Sequence, residues 1–504
     1  MRMAADFRSL AFKLLGGLAL ALLCLILGVM IAVLPVGVVL RGVALLGLLI
    51  ALLLAWQVRS SKFGMPPRLL AWCLLGTVAL SIIWPRFIFF PIGGAYTNPQ
   101  AASVLLMLAA CAVVLIANVG LSKRDSCSAL GLWNLGWLIF AWFAWRVLCA
   151  FLGDYPAVSV VGIFKELAYS GSFVLLAMVL LGYPEADRWL LRTIVFCAFI
   201  AVVFGLVEAV LQKNPLIRFA SGADNDATVA SLRSLTTEKI REGAYRAQSL
   251  FTHPIVFAQF VAAVLPLSLL LVITEKKSWF WRALAGLVIP IGLAAIVKSG
   301  SRAGLVSVLA ALGFMLFMFW LRAFRGRGFG RVAALVGGPA LLIAVGGIGW
   351  MVKGLIMGRS AIEAGSTSAR VEMLRRGVAA LEQHPIFGYG EGLSVHVAGL
   401  TDSKGHTSVD SYLLSIAIDS GYPGLLLFLV IVLTFVSRLA WLAAGDAGPR
   451  GLSAAMVAAS VMALFVSFVG LSIPHNMTLL WVLLVLGLLY AKRLQTPEST
   501  AVVR

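Results

Sequence analysis

Apolar residues run along this chain in long, almost uninterrupted blocks, separated by short polar segments. Crossing a bilayer takes about 20 predominantly apolar residues in a helix. About 14 blocks approach that length. They lie near 14–38, 42–57, 69–90, 101–120, 132–151, 164–182, 189–211, 252–273, 283–299, 303–321, 332–352, 409–436, 453–471 and 475–491. The blocks at 42–57 and 475–491 are short, so the expected count is about 12 to 14. The chain reads as all-α, a polytopic integral membrane protein, because helices satisfy their own backbone hydrogen bonds inside lipid.

Two segments break the rhythm, 212–251 and 353–408. Connections of that length are functional or disordered, and their helix signals favour function. They divide the chain into N-terminal membrane helices (1–211), a first long loop (212–251), central membrane helices (252–352), a second long loop (353–408) and C-terminal membrane helices (409–504). In the second loop, the run from Thr367 to Gln383 is "TSARVEMLRRGVAALEQ". Val371, Leu374, Val378 and Leu381 recur at helical spacing on one face, with Arg370, Arg375 and Arg376 beside them. The pattern predicts an amphipathic helix lying on the outer membrane surface. It ends before "HPIFGYGEG", where Pro385 and three glycines force a loop.

Composition agrees: 61% of residues are hydrophobic and 12% charged, with a net charge of +19. In a soluble protein that excess would suggest nucleic acid. Here the basic residues sit between apolar blocks, which points to topology and to anionic lipid or phosphate. With the N-terminus inside, the inside connections collect most of the short-loop Arg and Lys, among them Lys276, Lys277, Arg322, Lys492 and Arg493. Both termini are then cytoplasmic, and the two long loops are outside. The first apolar block, from about Leu14, reads as an uncleaved span. The six cysteines show no paired metal spacing and read as small hydrophobes.

Four places concentrate polar chemistry. In "YRAQSLFTHPIVFAQF", Arg246 and His253 precede a span, with Arg241 one or two turns away if the segment is helical. Arg246 either anchors at the interface or binds an anionic headgroup, and "HP" starts a helix. In "VKSGSRAGLVS", Arg302 sits in a tight turn between two spans, where a charge near membrane depth suggests function. Its guanidinium forms forked, charge-assisted bonds to phosphate. The third place is Arg370. The fourth is "HTSVDSYLLSIAIDSGYPG", with His406, Asp410, Ser411 and Tyr412 at a helix mouth. Structurally, Ser408 would cap that helix, Asp410 complement its dipole, and Gly421 with Pro423 bend it. Glu208, inside a span, is either a proton site or a partner for a membrane Arg such as Arg146. "GYGEG" is a weak nucleotide-loop signal, since no strand precedes it.

Taken in order, "RAQSLFTHPIVFAQF", "SGSRAGLVS", "SARVEMLRRGVAALEQHPIFGYGEG" and "DSYLLSIAIDSGYPGLLLFL" resemble the O-antigen ligase and Wzy-type polysaccharide polymerase superfamily, over about residues 240 to 440. The resemblance implies a many-span enzyme of a bacterial inner membrane, with two functional outside loops that are long periplasmic loops and an active site facing the periplasm. Its substrate would be a glycan on undecaprenyl diphosphate, transferred to an acceptor hydroxyl, with no cofactor. Counting back from Gly421, the ligase-type His falls on Asp410, which resembles the exopolysaccharide polymerase branch more than the ligases. The implied roles are diphosphate binding for Arg246, Arg302 and Arg370, with Arg241, His253 and Tyr412 secondary. Asp410 or His406 would take the acceptor's proton. No metal ligands are recognisable in the loops, so metal-independent transfer is the simpler expectation. Further partners would be membrane lipids and a flippase and chain-length regulator of the same pathway. The alternatives are a ligase acting on lipid A core and a transporter of lipid-linked sugars.

Overall fold

The computed structural model describes residues 68–85, 88, 90–92, 95–97, 103–104, 106–111, 132–183, 185–216, 240–241, 243–325, 347, 361–401, 407–445, 448–469 and 475–495. The expected spans at 14–38, 42–57 and 332–352 lie outside or almost wholly outside these residues. Among the described residues, nine helices are long and apolar enough to cross a membrane. The protein is a polytopic helical bundle.

In chain order the elements are α1 (Arg68–Ile83), β1 (Phe90–Ile92), β2 (Ala95–Thr97), α2 (Leu132–Leu152), α3 (Pro156–Leu180) and α4 (Ala186–Leu211). There follow β3 (Ile240–Arg241), β4 (Ala244–Tyr245), α5 (Pro254–Thr274), α6 (Trp279–Lys298), α7 (Arg302–Arg325), α8 (Ala361–Gln383) and α9 (Ser394–Ala398). The last are β5 (Leu400–Thr401), β6 (Thr407–Ser408), α10 (Tyr412–Gly445), α11 (Pro449–Val469) and α12 (His475–Gln495). The strands form three two-stranded antiparallel hairpins in the connections.

Most described spans begin and end close to the expected positions, with three corrections. The span expected at 69–90 ends at Ile83 after 16 residues, and β1 starts at Phe90. The span expected at 164–182 starts at Pro156, whose fixed φ suits the first helical turn. The span expected at 409–436 runs from Tyr412 to Gly445, and it departs from helical geometry at Gly421 (φ 69°, ψ −178°), where a bend was expected.

The core is built around α5, buried nearly all round from Val256 to Leu271 and packed on α6, α7 and α11. Outer helices keep large apolar side chains exposed, such as Trp137, Phe140 and Phe151 on α2. This distribution suits a bundle whose surroundings are apolar. Small residues permit close crossings: a Cβ added at Gly304 of α7 would meet Ala258 Cβ of α5 at 2.5 Å.

The bundle has two chemically different ends. At one, Lys492 Nζ donates to Leu181 O (2.6 Å), Arg493 pairs with Asp187, Arg192 pairs with Glu275 (2.5 Å) and Arg322 donates to Gly448 O (3.1 Å). The connections expected to share the inside thus share an end. The other end gathers the α2–α3 turn, residues 243–253, the α6–α7 turn and the described residues between α8 and the start of α10.

Candidate functional site

The candidate arginines come from separate elements of that second end. Arg246 follows β4 and lies across the α6–α7 turn. Its Nε donates to Ser299 O (2.8 Å), one Nη donates to Gly300 O (3.4 Å), and Ala247 N donates to Lys298 O (3.1 Å). Gly300 adopts φ +57°, and a Cβ there would meet Arg246 Nε at 3.2 Å. Two residues on, Arg302 opens α7, where Ser301 Oγ accepts from Gly304 N (3.2 Å). Arg246 and Arg302 are therefore brought to one turn from segments 56 residues apart in sequence. Arg241 is not on a helix as considered above: it pairs with Ala244 in the β3–β4 hairpin. His253 takes the structural role. Its Nδ1 accepts from Ile255 N (3.1 Å) and caps α5 ahead of Pro254.

Glu208 explains why the Arg246 segment holds its shape. This carboxylate, buried near the end of α4, accepts from Tyr245 OH (2.7 Å), Gln248 N (3.2 Å) and Ser249 N (2.5 Å). Asn214 Nδ2 adds a bond to Ser249 O (2.8 Å), and Ser249 sits at φ 56°. Of the two readings open for Glu208, the partnership with Arg146 is corrected: Arg146 pairs with Glu391 instead. Glu208 clasps backbone N–H groups that would otherwise be buried without partners.

A second clasp lies at the break in α10. Asp419, also buried, accepts from Gly392 N (3.1 Å) and Ser394 N (2.7 Å) through its two carboxylate oxygens. Tyr389 N donates to Ile418 O (2.9 Å), Gly390 N to Asp419 O (3.1 Å) and Trp145 Nε1 to Ser420 O (2.9 Å). Donors from outside the helix thus meet carbonyls that a helix end leaves open. The loop approaches so closely that a Cβ at Gly421 would lie 2.0 Å from Ile386 O. On its far side the loop is held by Arg146 of α2. The guanidinium binds Glu391 through two bonds (2.5 and 3.1 Å) and lies 4.4 Å from the Trp142 ring centre.

The opening of α10 differs from expectation. The helix starts at Tyr412, and Ser411 caps it, its Oγ accepting from Leu414 N (3.3 Å). Ser408 lies in the β5–β6 hairpin, so it is not the cap, and Asp410 precedes the first turn. His406 lies outside the described residues, and the helix does not extend back to it. Tyr412 packs against Phe428 and Phe468. Asp410 is set against α8, its backbone N–H directed at Met373 Sδ (2.8 Å), one helical turn from Arg370.

Helix α8 forms, beginning at Ala361 rather than Thr367, and packs on the protein mainly through residues beside the expected stripe. Met373, Gly377, Ala380 and Leu381 are buried, whereas Val371, Leu374 and Val378 of the expected stripe are 63%, 55% and 41% exposed. A Cβ at Gly377 would meet Leu414 Cδ1 at 2.7 Å, so a glycine makes the close approach to α10, with Met373 and Leu381 buried on the same side. The three arginines also separate. Arg375 (2.8 and 2.9 Å) and Arg376 (2.9 Å) bind Glu372, holding its carboxyl down at about 2. Arg370 Nε is buried without a hydrogen-bond partner.

Sequence reasoning singled out Arg146 as a membrane Arg but did not find Glu391, Asp419 or Trp145. Glu391 was visible only inside "GYGEG", and Asp419 only as the acid two residues before Gly421. Among the described residues, no three His, Cys, Asp or Glu side chains group as metal ligands.

Residues 287–429 match the family model Wzy_C, described as O-antigen ligase. That segment bears out the resemblance to the O-antigen ligase and Wzy-type superfamily, and it contains Arg302, Arg370, Glu391, Asp410 and Asp419 but not Arg146, Glu208 or Arg246. No curated protein matches the chain.

Proposed function

We propose that this multi-pass membrane protein, with its O-antigen ligase segment, transfers a glycan from an undecaprenyl-diphosphate carrier to an acceptor hydroxyl. The reaction takes place at the periplasmic face of the inner membrane, and its most specific form is polymerisation of repeat units. The observation that carries this reading is the convergence of Arg246 on the turn that opens at Arg302. A diphosphate leaving group needs fixed positive charge where its negative charge develops. Guanidinium groups from two elements suit that need, and Arg370, with its unpartnered buried Nε, is assigned as a third.

In the proposed step the acceptor oxygen bonds to the anomeric carbon of the donor sugar. The bond from that carbon to the diphosphate oxygen breaks, and its electron pair leaves with the diphosphate. The acceptor proton goes to Asp410, the carboxylate at the mouth of α10. The exposed Val371–Leu374–Val378 stripe would rest in the outer leaflet, keeping Arg370 at headgroup depth. An Asp where ligases of the superfamily carry His favours polymer growth over transfer to lipid A core.

The test supplies purified protein with a defined lipid-linked repeat. A ladder of longer lipid-linked chains is expected. Product formed only when lipid A core is added would make the protein a ligase. Movement of the lipid across vesicles without product would make it a transporter. Arg302→Ala is expected to abolish chain growth with the protein still at normal abundance, and normal polymer from that variant would overturn the assignment.

A further inference from the structure

We propose that Arg146 and Glu391 are positioning residues for the transfer, acting through the 385–394 loop to fix the half-helix that presents Asp410. This rests on the reading above.

The first half of α10, Tyr412 to Ser420, is a separate nine-residue rod, because the backbone leaves helical geometry at Gly421. Continuity with the rest of the span therefore does not set its direction. Its upper end packs through Tyr412 on Phe428 and Phe468 and through Leu414 beside Gly377 of α8, and its lower end is fixed by hydrogen bonds, where donors from the loop and from α2 meet the carbonyls of Ile418, Asp419 and Ser420. The carboxylate of Asp419 holds the loop in return, at Gly392 and Ser394. The loop itself is irregular, with positive φ at Gly388, Gly390 and Gly392. It needs an outside reference, and two contacts supply it. Asp154 N donates to Tyr389 O (3.1 Å) at the α2–α3 turn, and Arg146 grips Glu391 between the last two of those glycines.

Stability alone is a poor reason for this ion pair. Arg146 is 5% exposed, and desolvating two charges offsets much of their attraction, so a packed apolar pair is often as stable. A forked, charge-assisted pair does fix distance and angle. The lever is short. Nine residues at about 1.5 Å rise span roughly 13 Å, so a tilt of about 5° moves the Asp410 end by about 1 Å. A displacement of about 1 Å at a reacting group costs about 100-fold in rate.

The molecule contains its own control. At the opposite end Arg192 binds Glu275 (2.5 Å) and lies 5.4 Å from the Trp281 ring centre, the same chemistry far from Asp410. Transfer kinetics are measured on full-length protein in proteoliposomes, with whichever acceptor the wild type uses. The variants are Glu391→Gln, Arg146→Lys, the swap Arg146→Glu with Glu391→Arg, and Glu275→Gln.

Glu391→Gln is expected to lose about 100-fold in kcat per folded molecule, with KM for the lipid-linked donor within about threefold of wild type. Arg146→Lys keeps the charge but loses the fork, and is expected to fall between the two. The swap should recover at least about tenfold of the loss, and Glu275→Gln should keep wild-type kcat. The inference is overturned if Glu391→Gln and Arg146→Lys keep kcat, if Glu275→Gln loses as much, or if the swap recovers nothing. Should Glu391→Gln not fold, Arg146→Lys and the swap decide by the same criteria. A wild type that joins no glycan to either acceptor defeats the reading of function, and this inference with it.

Discussion

Two loops at the same end of the bundle are held by the same device, yet they do different things. In each, a buried carboxylate on a spanning helix accepts two backbone N–H groups: Glu208 from Gln248 and Ser249, Asp419 from Gly392 and Ser394. The Glu208 clasp sits at the end of an intact helix and shapes the segment that carries Arg246. The Asp419 clasp sits at a break, so the grip is mutual: the helix holds the loop and the loop aims the half-helix. The first arrangement presents a residue of the loop itself. The second presents Asp410, nine residues up the helix from the clasp.

The difference can be broken most forcefully at the glycines. Gly421→Ala would place a Cβ 2.0 Å from Ile386 O at φ 69°, so helix and loop would have to separate. Activity per folded molecule is expected to fall by roughly 100-fold or more. Gly243 in the β3–β4 hairpin also has positive φ (75°), but a Cβ there meets nothing within 4 Å. Gly243→Ala should cost only about 1 kcal/mol of local strain and leave kcat near wild type. Equal losses in the two variants would show that the break is not special.

Next come the clasps. Asp419→Asn and Glu208→Gln each turn an acceptor oxygen into a donor facing an N–H, costing roughly 1–3 kcal/mol in either place. Thermal unfolding should show both. Kinetics should divide them: Asp419→Asn lowers kcat through the half-helix, whereas Glu208→Gln raises KM for the diphosphate donor through Arg246. A smaller effect is expected at His253. His253→Ala loses the α5 cap, about 1 kcal/mol, visible as a modest drop in melting temperature with unchanged kcat.

The smallest effect belongs to Glu372. Its folded value, about 2, lies below the ordinary 4.5. Any stabilisation it gives is therefore present above pH 4.5 and disappears as pH falls through about 2. The group is exposed, so solvent screens it. Glu372→Gln should melt with wild type at pH 7, and a clear drop there would show that α8 depends on this trio.

Much of the fold was legible because a helix in lipid must be apolar over a known length. The blocks at 132–151, 189–211 and 252–273 became α2, α4 and α5 within a few residues. The amphipathic helix was legible too, but not the face it packs on the protein. Periodicity showed Val371, Leu374 and Val378 on one face. It could not show that Gly377, with no side chain to register as hydrophobic, makes the approach to Leu414. Ser408 looked like the cap because cap chemistry is shared by Ser408 and Ser411, and only strand pairing with Leu400 separates them.

The polar groups followed the same division. Which residues were unusual could be read directly: Arg146 and Glu208 inside spans, Arg302 in a turn, Asp410 at a helix mouth. Their partners could not. Arg146 and Glu391 are 245 residues apart, Glu208 and Ser249 are 41, and a carboxylate in a span matches an arginine or a pair of backbone N–H groups equally well on paper. Transfer into an apolar medium dictates that each buried charge find a partner. Which partner it finds depends on which helices touch and where one of them breaks, and those distances exist only in the packed bundle.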